Sequence, residues 1–320
     1  MSVKGRVAIV TGAGGGLGRE YALLLGKLGA KVVVNDYGGT LEGQPGTISR
    51  AQSVVDEIRA AGGSAIADGH DVSIQTQAQA IVTDCLAEYG RVDILVNNAG
   101  ISGKPSSHAA LDAPAFMRVI EIGVLGTQLM TSAVWSTMEK QGHGRIVNVS
   151  SDAIIGFGAG GDCAYSASKG AVFAITQDLG RFSPSCGIKL NAILPSGASR
   201  MGDLSEASKM ITQTYFETRK CAPLLVALCA DECPVSGACI ATGAGRAARV
   251  ALATFPGHTN ETTAEGFVEN WSKVMGDEKD VYIPKDTLDH VRYGVRLASG
   301  LEVPELPSLG IIPTTSKQSS

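Results

Sequence analysis

Apolar residues in this chain form short β-branched runs separated by amphipathic stretches. Arg6–Val10 is predicted as a strand, running through a glycine cluster into a helix with Leu17, Tyr21, Leu24, Leu25 and Leu28 on one face. Lys31–Asn35 (KVVVN) reads as the next strand, followed after a long turn by a helix over Ala51–Ala61 that Gly62 and Gly63 stop. A weaker strand near Ala65–Val72 precedes the clearest helix, whose apolar positions are Ala78, Ile81, Val82, Cys85, Leu86 and Tyr89, with Gly90 as its cap. Four more strands are predicted at Asp93–Val96, Arg145–Val149, Lys189–Leu194 and Ala238–Thr242. Strands apolar on both faces, alternating with helices, predict a doubly wound α/β fold: a parallel sheet covered on both sides.

That alternation supports one Rossmann-like domain over residues 1–245. A helical extension over 246–296 includes the amphipathic stretch Glu261–Val274, and a Pro/Ser/Thr-rich tail over 297–320 is either disordered or packed on a partner subunit. No apolar run is long enough to span a bilayer, and the first ten residues read straight into a strand rather than a signal peptide. Net charge −4 gives no basic footprint for nucleic acid. Cys221, Cys229, Cys233 and Cys239 lack paired metal-ligand spacing and the five histidines are scattered, so no metal site is expected and the thiols read as free and buried. A cytoplasmic setting follows from that reading.

Glycine departs from ordinary usage, at 40 of 320 residues, and much of it sits in three clusters. The first, Thr11–Gly18 (TGAGGGLG), falls at a strand-to-helix turn. There Gly12 permits the tight turn, Gly16 lets a pyrophosphate approach backbone, and Gly18 lets helix pack on strand. The phosphates would rest on the helix N-terminus. Asp36 closes the second strand, where a carboxylate accepts hydrogen bonds from an adenosine ribose 2′-OH and repels a 2′-phosphate. No Lys or Arg occupies residues 13–16 or the first positions after Asp36, so NAD is expected rather than NADP. Asp71, after the third strand, is a candidate for holding the adenine amino group.

The spacing T-G-x-x-x-G-x-G, together with Asn97–Gly100 (NNAG) after the fourth strand, resembles the short-chain dehydrogenase/reductase family over roughly residues 5–245. Tyr165 and Lys169 (YSASK) lie one turn apart on a predicted helix, and Ser151 ends the preceding strand region. A phenol with an ordinary pKa of about 10 needs to fall by about 3 to act as base near pH 7, and a neighbouring ammonium and a nicotinamide cation supply charge of the right sign. The resemblance implies Tyr165 as catalytic base, Lys169 as its ribose-bound partner and Ser151 as the hydroxyl orienting the substrate. It also implies cofactor contacts at Leu17, Val72, Asn98, Ala99, Gly100 and Pro195. Two features depart from the family: Gly123 stands where a relay Asn is usual, and the Ser151–Tyr165 separation is one residue longer than usual. Cys163 reads as a pocket-wall residue.

The resemblance further implies a secondary alcohol or ketone on a bulky apolar substrate, a 17β-hydroxysteroid or a 3-hydroxyacyl-CoA. Arg200–Thr218 would form a mobile lid, and Lys209, Arg219 and Lys220 would be available to a CoA phosphate. A homodimer or homotetramer is expected on the same ground. The competing reading is an NAD(H)-binding regulatory or scaffold protein whose chemistry has decayed.

Overall fold

The computed structural model describes residues 2–40, 42, 44, 46–103, 109–156, 163–196 and 217–302. Eight strands form one sheet in the order β3-β2-β1-β4-β5-β6-β7-β8. They are β1 (Val7–Thr11), β2 (Lys31–Asn35), β3 (Ser64–Asp68), β4 (Ile94–Asn97), β5 (Gly144–Val149), β6 (Ile188–Pro195), β7 (Cys239–Gly243) and β8 (Arg246–Val250). All neighbouring pairs are parallel except β7 and β8. The antiparallel β8 was not expected, and it carries the sheet to Val250, five residues past the predicted end at 245. Its sequence, RAARV, has no alternation of apolar and polar positions and is mostly exposed, as suits an edge strand.

The period of two along each buried strand splits the core into two layers. From β1, Ala8 and Val10 face α1 (Gly16–Lys27), α2 (Ser49–Ala60) and a later helix, α7 (Ala222–Cys229). Val7 and Ile9 face α3 (Gln75–Tyr89) and α5 (Gly126–Gln141). The expected helical faces hold for α2 and α3, where Val54, Val55, Ile58, Ala78, Ile81, Val82 and Cys85 are buried. On α1 the buried stripe is Gly18, Tyr21, Ala22, Leu25 and Gly26, while Leu28 is exposed. Small residues there let α1 lie close to its neighbours: a Cβ on Gly26 would stand 2.8 Å from Ile58 Cγ2.

The long helical region before β5 is not continuous. α4 (Ala113–Ile120) passes into a five-residue π segment, Glu121–Leu125, and then into α5. After β5 a short 3₁₀ turn, Asp152–Ile155, precedes α6 (Cys163–Phe182). No disulfide joins the seven cysteines, and Cys85, Cys221, Cys229, Cys233 and Cys239 are buried.

Residues from Ala251 form a second compact unit. It has helices at Ala264–Glu269, Trp271–Met275 and Thr287–Ser299. The predicted Glu261–Val274 stretch thus appears as two short helices, divided at Asn270. Thr254 pairs with Tyr282 in an isolated bridge, and Tyr282 stacks on Tyr293 with ring centroids 4.1 Å apart. The tail beyond Glu302 lies outside the described residues, as do most of the expected lid (197–216) and its Lys209.

Candidate active site

Strand order reverses between β1 and β4, since the chain builds outward from β1 toward β3 and then restarts at β4 on its other side. Such a reversal opens a crevice at the carboxyl ends of the two strands. The glycine turn and the NNAG segment meet there. Gly12 adopts φ +62°, and a Cβ on it would lie 2.9 Å from Ala99 Cα. One on Gly18 would lie 2.3 Å from the Gly12 carbonyl oxygen and 2.5 Å from Asn98 Nδ2. Only hydrogen fits at these two positions. Asn98 fixes the turn directly, its amide donating to the carbonyls of Thr11 (2.9 Å) and Gly12 (3.0 Å). Thr11 Oγ1 in turn accepts from the backbone N–H groups of Asn98 and Ala99, both at 3.1 Å.

The turn fits a dinucleotide. Cβ atoms built on Gly15 and Gly16 meet nothing within 4 Å, so the backbone there borders open space. The N-cap of α1 is Gly15, which has no side chain to bond the first-turn amides. Asp36 stands beside this loop and accepts from Gly14 N–H (2.9 Å) and Gly38 N–H (2.7 Å). Leu17 and Gly18 begin α1, Val72 lies buried after β3, Gly100 adjoins Lys169, and Pro195 ends β6.

Asp71 is engaged in a way the sequence did not suggest. Its Oδ1 accepts from Ser73 N–H (2.8 Å) and Ser73 Oγ (2.6 Å), and its Oδ2 pairs with Arg118 Nη2 at 2.8 Å. Burial opposes ionisation of this carboxyl, but the bonds from Ser73 and Arg118 outweigh it and hold the group below its usual value. Arg118, on α4, also donates to Ser73 Oγ (2.8 Å) and Tyr37 Oη (3.4 Å). It therefore joins the segments after β2 and β3 to α4. No motif window reveals this role, because Ser73, Asp71 and Tyr37 are 45 to 81 residues away, while its near partner Glu121 lies three residues on at 3.5 Å.

β5 and α6 bring the remaining groups together. Ser150 Oγ donates to the Lys169 carbonyl at 2.8 Å, and Lys169 Nζ donates to the Val149 carbonyl at 2.8 Å. These two bonds pin the helix to the strand end. Ser151 Oγ accepts from Ala153 N–H at 3.2 Å and lies close enough to the Tyr165 phenol to draw its pKa down slightly. Lys169 Nζ lies 5.6 Å from the centre of the Tyr165 ring. The fold thus gathers the three side chains where β5 meets α6. Cys163 sits exposed on the first turn of α6.

The electrostatics of this resting arrangement differ from the expectation. Burial is the main influence on the Tyr165 phenol and pushes it up, against a smaller pull from the Ser151 hydroxyl. Lys169 is 4% exposed, and burial pushes its ammonium down from 10.5 to about 8. The ammonium points at the Val149 carbonyl, so it does not bring the phenol into the range of a base at pH 7.

Gly123 has a steric cause. It lies in the π segment packed against α6, where a Cβ would stand 2.2 Å from Ser168 Oγ. Any side chain, Asn included, collides unless Ser168 moves. The Gly123 carbonyl accepts from Thr127 Oγ1 at 2.8 Å. Arg219 and Lys220, two of the cations considered for a CoA phosphate, both pair with Glu217.

The short chain dehydrogenase family model matches residues 6–206. A peroxisomal hydratase-dehydrogenase-epimerase of Saccharomyces cerevisiae is 36% identical over 86% of this chain and 30% of its own length. Peroxisomal multifunctional enzyme type 2 of Drosophila melanogaster is also 36% identical, over 86% of this chain and 46% of its own. The chain thus spans less than half the length of these two relatives. A putative short-chain type dehydrogenase/reductase of Mycobacterium tuberculosis is 35% identical over 78% of this chain and 86% of its own. Among solved structures, a short chain dehydrogenase from Mycobacterium avium superposes with a TM-score of 0.71 at 33% identity, covering 85% of this chain and 96% of that one. Likeness that runs from the glycine turn past the Tyr165–Lys169 helix, on a Rossmann-like sheet, makes this chain an oxidoreductase of the short-chain dehydrogenase family.

Proposed function

We propose that this oxidoreductase uses NAD to interconvert a secondary alcohol and a ketone on a bulky apolar substrate, a 17β-hydroxysteroid or a 3-hydroxyacyl-CoA. The observation that carries the reading is the convergence of Ser151, Tyr165 and Lys169 where β5 meets α6, beside the glycine turn. Asp36 supports NAD, since its carboxylate stands where an adenosine ribose 2′-OH would be accepted. Drosophila peroxisomal multifunctional enzyme type 2, whose full-length structure superposes over 94% of this chain with a TM-score of 0.75, supports the substrate class.

A nicotinamide held beside Tyr165 and Lys169 would supply the acceptor for the carbinol hydride and, in its oxidised form, a positive charge near the phenol. Tyr165 Oη takes the hydroxyl proton as the carbonyl forms, and returns one in the reverse direction. Ser151 Oγ holds the substrate oxygen and stabilises its developing charge. Burial brings the Lys169 ammonium down to about 8, and a ribose hydroxyl in reach of Nζ would compete with the Val149 carbonyl for its protons and give the phenol a route for proton release. Tyr165 therefore becomes a competent base only in the assembled complex.

The test is NADH formation from 17β-hydroxysteroids and 3-hydroxyacyl-CoAs, assayed side by side with the wild-type chain and Tyr165→Phe. The variant is expected to lose at least 10³-fold in kcat while binding NADH. Turnover unchanged in Tyr165→Phe removes the assignment of the base. NADH binding without turnover on either substrate class favours the regulatory reading instead.

A further inference from the structure

On the β3 side of the sheet, away from the β5 end that carries Ser151, one guanidinium joins the loops after β2 and β3. Arg118 Nη2 pairs with Asp71 Oδ2 at 2.8 Å and reaches Tyr37 Oη at 3.4 Å, and its Nη1 donates to Ser73 Oγ at 2.8 Å. Tyr37 directly follows Asp36, whose N–H donates to the Asp68 carbonyl at 2.9 Å, so the two strand ends lie side by side. A nucleotide seated on the glycine turn with its ribose at Asp36 therefore directs its base toward the end of β3, where Asp71 and Ser73 lie. The Asp71 and Arg118 side chains are 12% and 26% exposed, so neither is sealed in the core.

We propose that Arg118 is a specificity-determining residue for the base of the dinucleotide, placing a donor beside the Asp71 acceptor so that a 6-oxopurine is admitted as well as adenine. This rests on the dinucleotide reading above and extends it. An ionised carboxylate only accepts hydrogen bonds. Alone at this place, Asp71 would take the 6-amino group of adenine and repel the 6-carbonyl oxygen of hypoxanthine. The ion pair changes that balance. Asp71 Oδ1 is spent on the Ser73 N–H and Oγ, at 2.8 and 2.6 Å. Its Oδ2 has Arg118 as donor among the described residues and keeps a second lone pair for an amino group. Arg118 presents a fork of N–H groups, and its contacts with Tyr37 (3.4 Å) and Glu121 (3.5 Å) are long, so one N–H is released to a carbonyl at little cost. The pair carries no net charge, which removes the repulsion a lone carboxylate exerts on a carbonyl oxygen.

The experiment is a binding titration of NADH and of its hypoxanthine analogue, which share one fluorescent nicotinamide and differ only at the polar edge of the purine. The wild type is expected to bind the analogue within about tenfold of NADH. Arg118→Met keeps the length of the side chain and removes its donors, so it is expected to widen that gap by about tenfold. Asp71→Asn removes the acceptor charge and leaves Arg118 in place, so it is expected to move the ratio the opposite way, toward the analogue. Arg118→Lys, which retains a donor, is expected to lie between wild type and Arg118→Met. A purely structural role for Arg118 would weaken both nucleotides together, so a ratio equal in wild type and Arg118→Met overturns the proposal. Wild-type discrimination beyond about 100-fold does the same. Should Arg118→Met fail to fold, the opposed shifts of Asp71→Asn and Arg118→Lys decide, and shifts of one sign overturn the proposal. A wild type that binds neither nucleotide defeats the dinucleotide reading itself, an outcome distinct from these.

Discussion

Replacing Lys169 by Met is expected to stabilise the protein while abolishing turnover. The ammonium is buried, and its pKa falls from 10.5 to about 8 through loss of hydration alone. At about 1.4 kcal/mol per pH unit, keeping the proton on Lys169 at pH 7 costs the folded state about 3 kcal/mol relative to the unfolded chain. Met has similar length and no charge, so that cost disappears. The Val149 carbonyl loses its 2.8 Å bond, which takes back about 1 kcal/mol. The net gain is about 2 kcal/mol, or a rise of about 3 °C in Tm for a chain of this size. The sign with pH follows from the depressed value. Below pH 8 the folded and unfolded states both hold the proton and the penalty is complete. Between pH 8 and 10.5 the folded state has released it while the unfolded state has not, so wild-type stability recovers and the gap to Lys169→Met closes. The assay is thermal denaturation of both proteins without nucleotide at pH 7 and pH 10. A gap that is the same at the two pH values, or a variant less stable at pH 7, would refute the desolvation account.

Two further substitutions test packing. Gly123→Ala places a Cβ 2.2 Å from Ser168 Oγ and is expected to cost about 2 kcal/mol in urea denaturation, most of which Ser168→Ala restores because the next atom, Ser168 Cβ, is 3.5 Å away. Additive effects in the double mutant would place the conflict elsewhere. Tyr21→Phe is expected to stabilise by about 1 kcal/mol, since Tyr21 is fully buried and its hydroxyl has no hydrogen-bond partner among the described residues. A shift of the urea midpoint in the destabilising direction would show that the hydroxyl is bonded.

Much of the fold was legible because it depends on periods of two and three to four, and those survive in a single window of sequence. KVVVN gave β2 to the residue, and the Ala78–Tyr89 stripe gave α3, because both bury apolar positions against one continuous sheet. Where burial is weak the pattern fades. β8 contributes little to the core and carries two arginines, so nothing in RAARV marks it as a strand. The helix at Thr287–Ser299 buries no residue, and it was expected only as part of the helical extension over 246–296.

The candidate site was legible in its members and illegible in its state. Tyr165, Lys169, Ser151, Asp36 and the glycines are read from spacing, because each motif fixes neighbours along the chain. The electrostatics depend on groups that meet only through the fold. One turn of helix places Lys169 beside Tyr165, but the free end of β5 captures its ammonium, and burial then raises the phenol instead of lowering it. The same holds for Arg118, which claims Asp71 from α4, and for Ser168, whose hydroxyl occupies the space a Cβ on Gly123 would take. Motif spacing therefore specifies which side chains can react, whereas their readiness depends on what occupies the crevice. Adding NADH should leave the buried Lys169 charge better solvated by ribose hydroxyls than by one carbonyl, drawing its pKa upward. Chemical-shift titration of Lys169 Nζ with and without NADH measures that movement, and a pKa still near 8 in the complex would mean that the ammonium never leaves Val149.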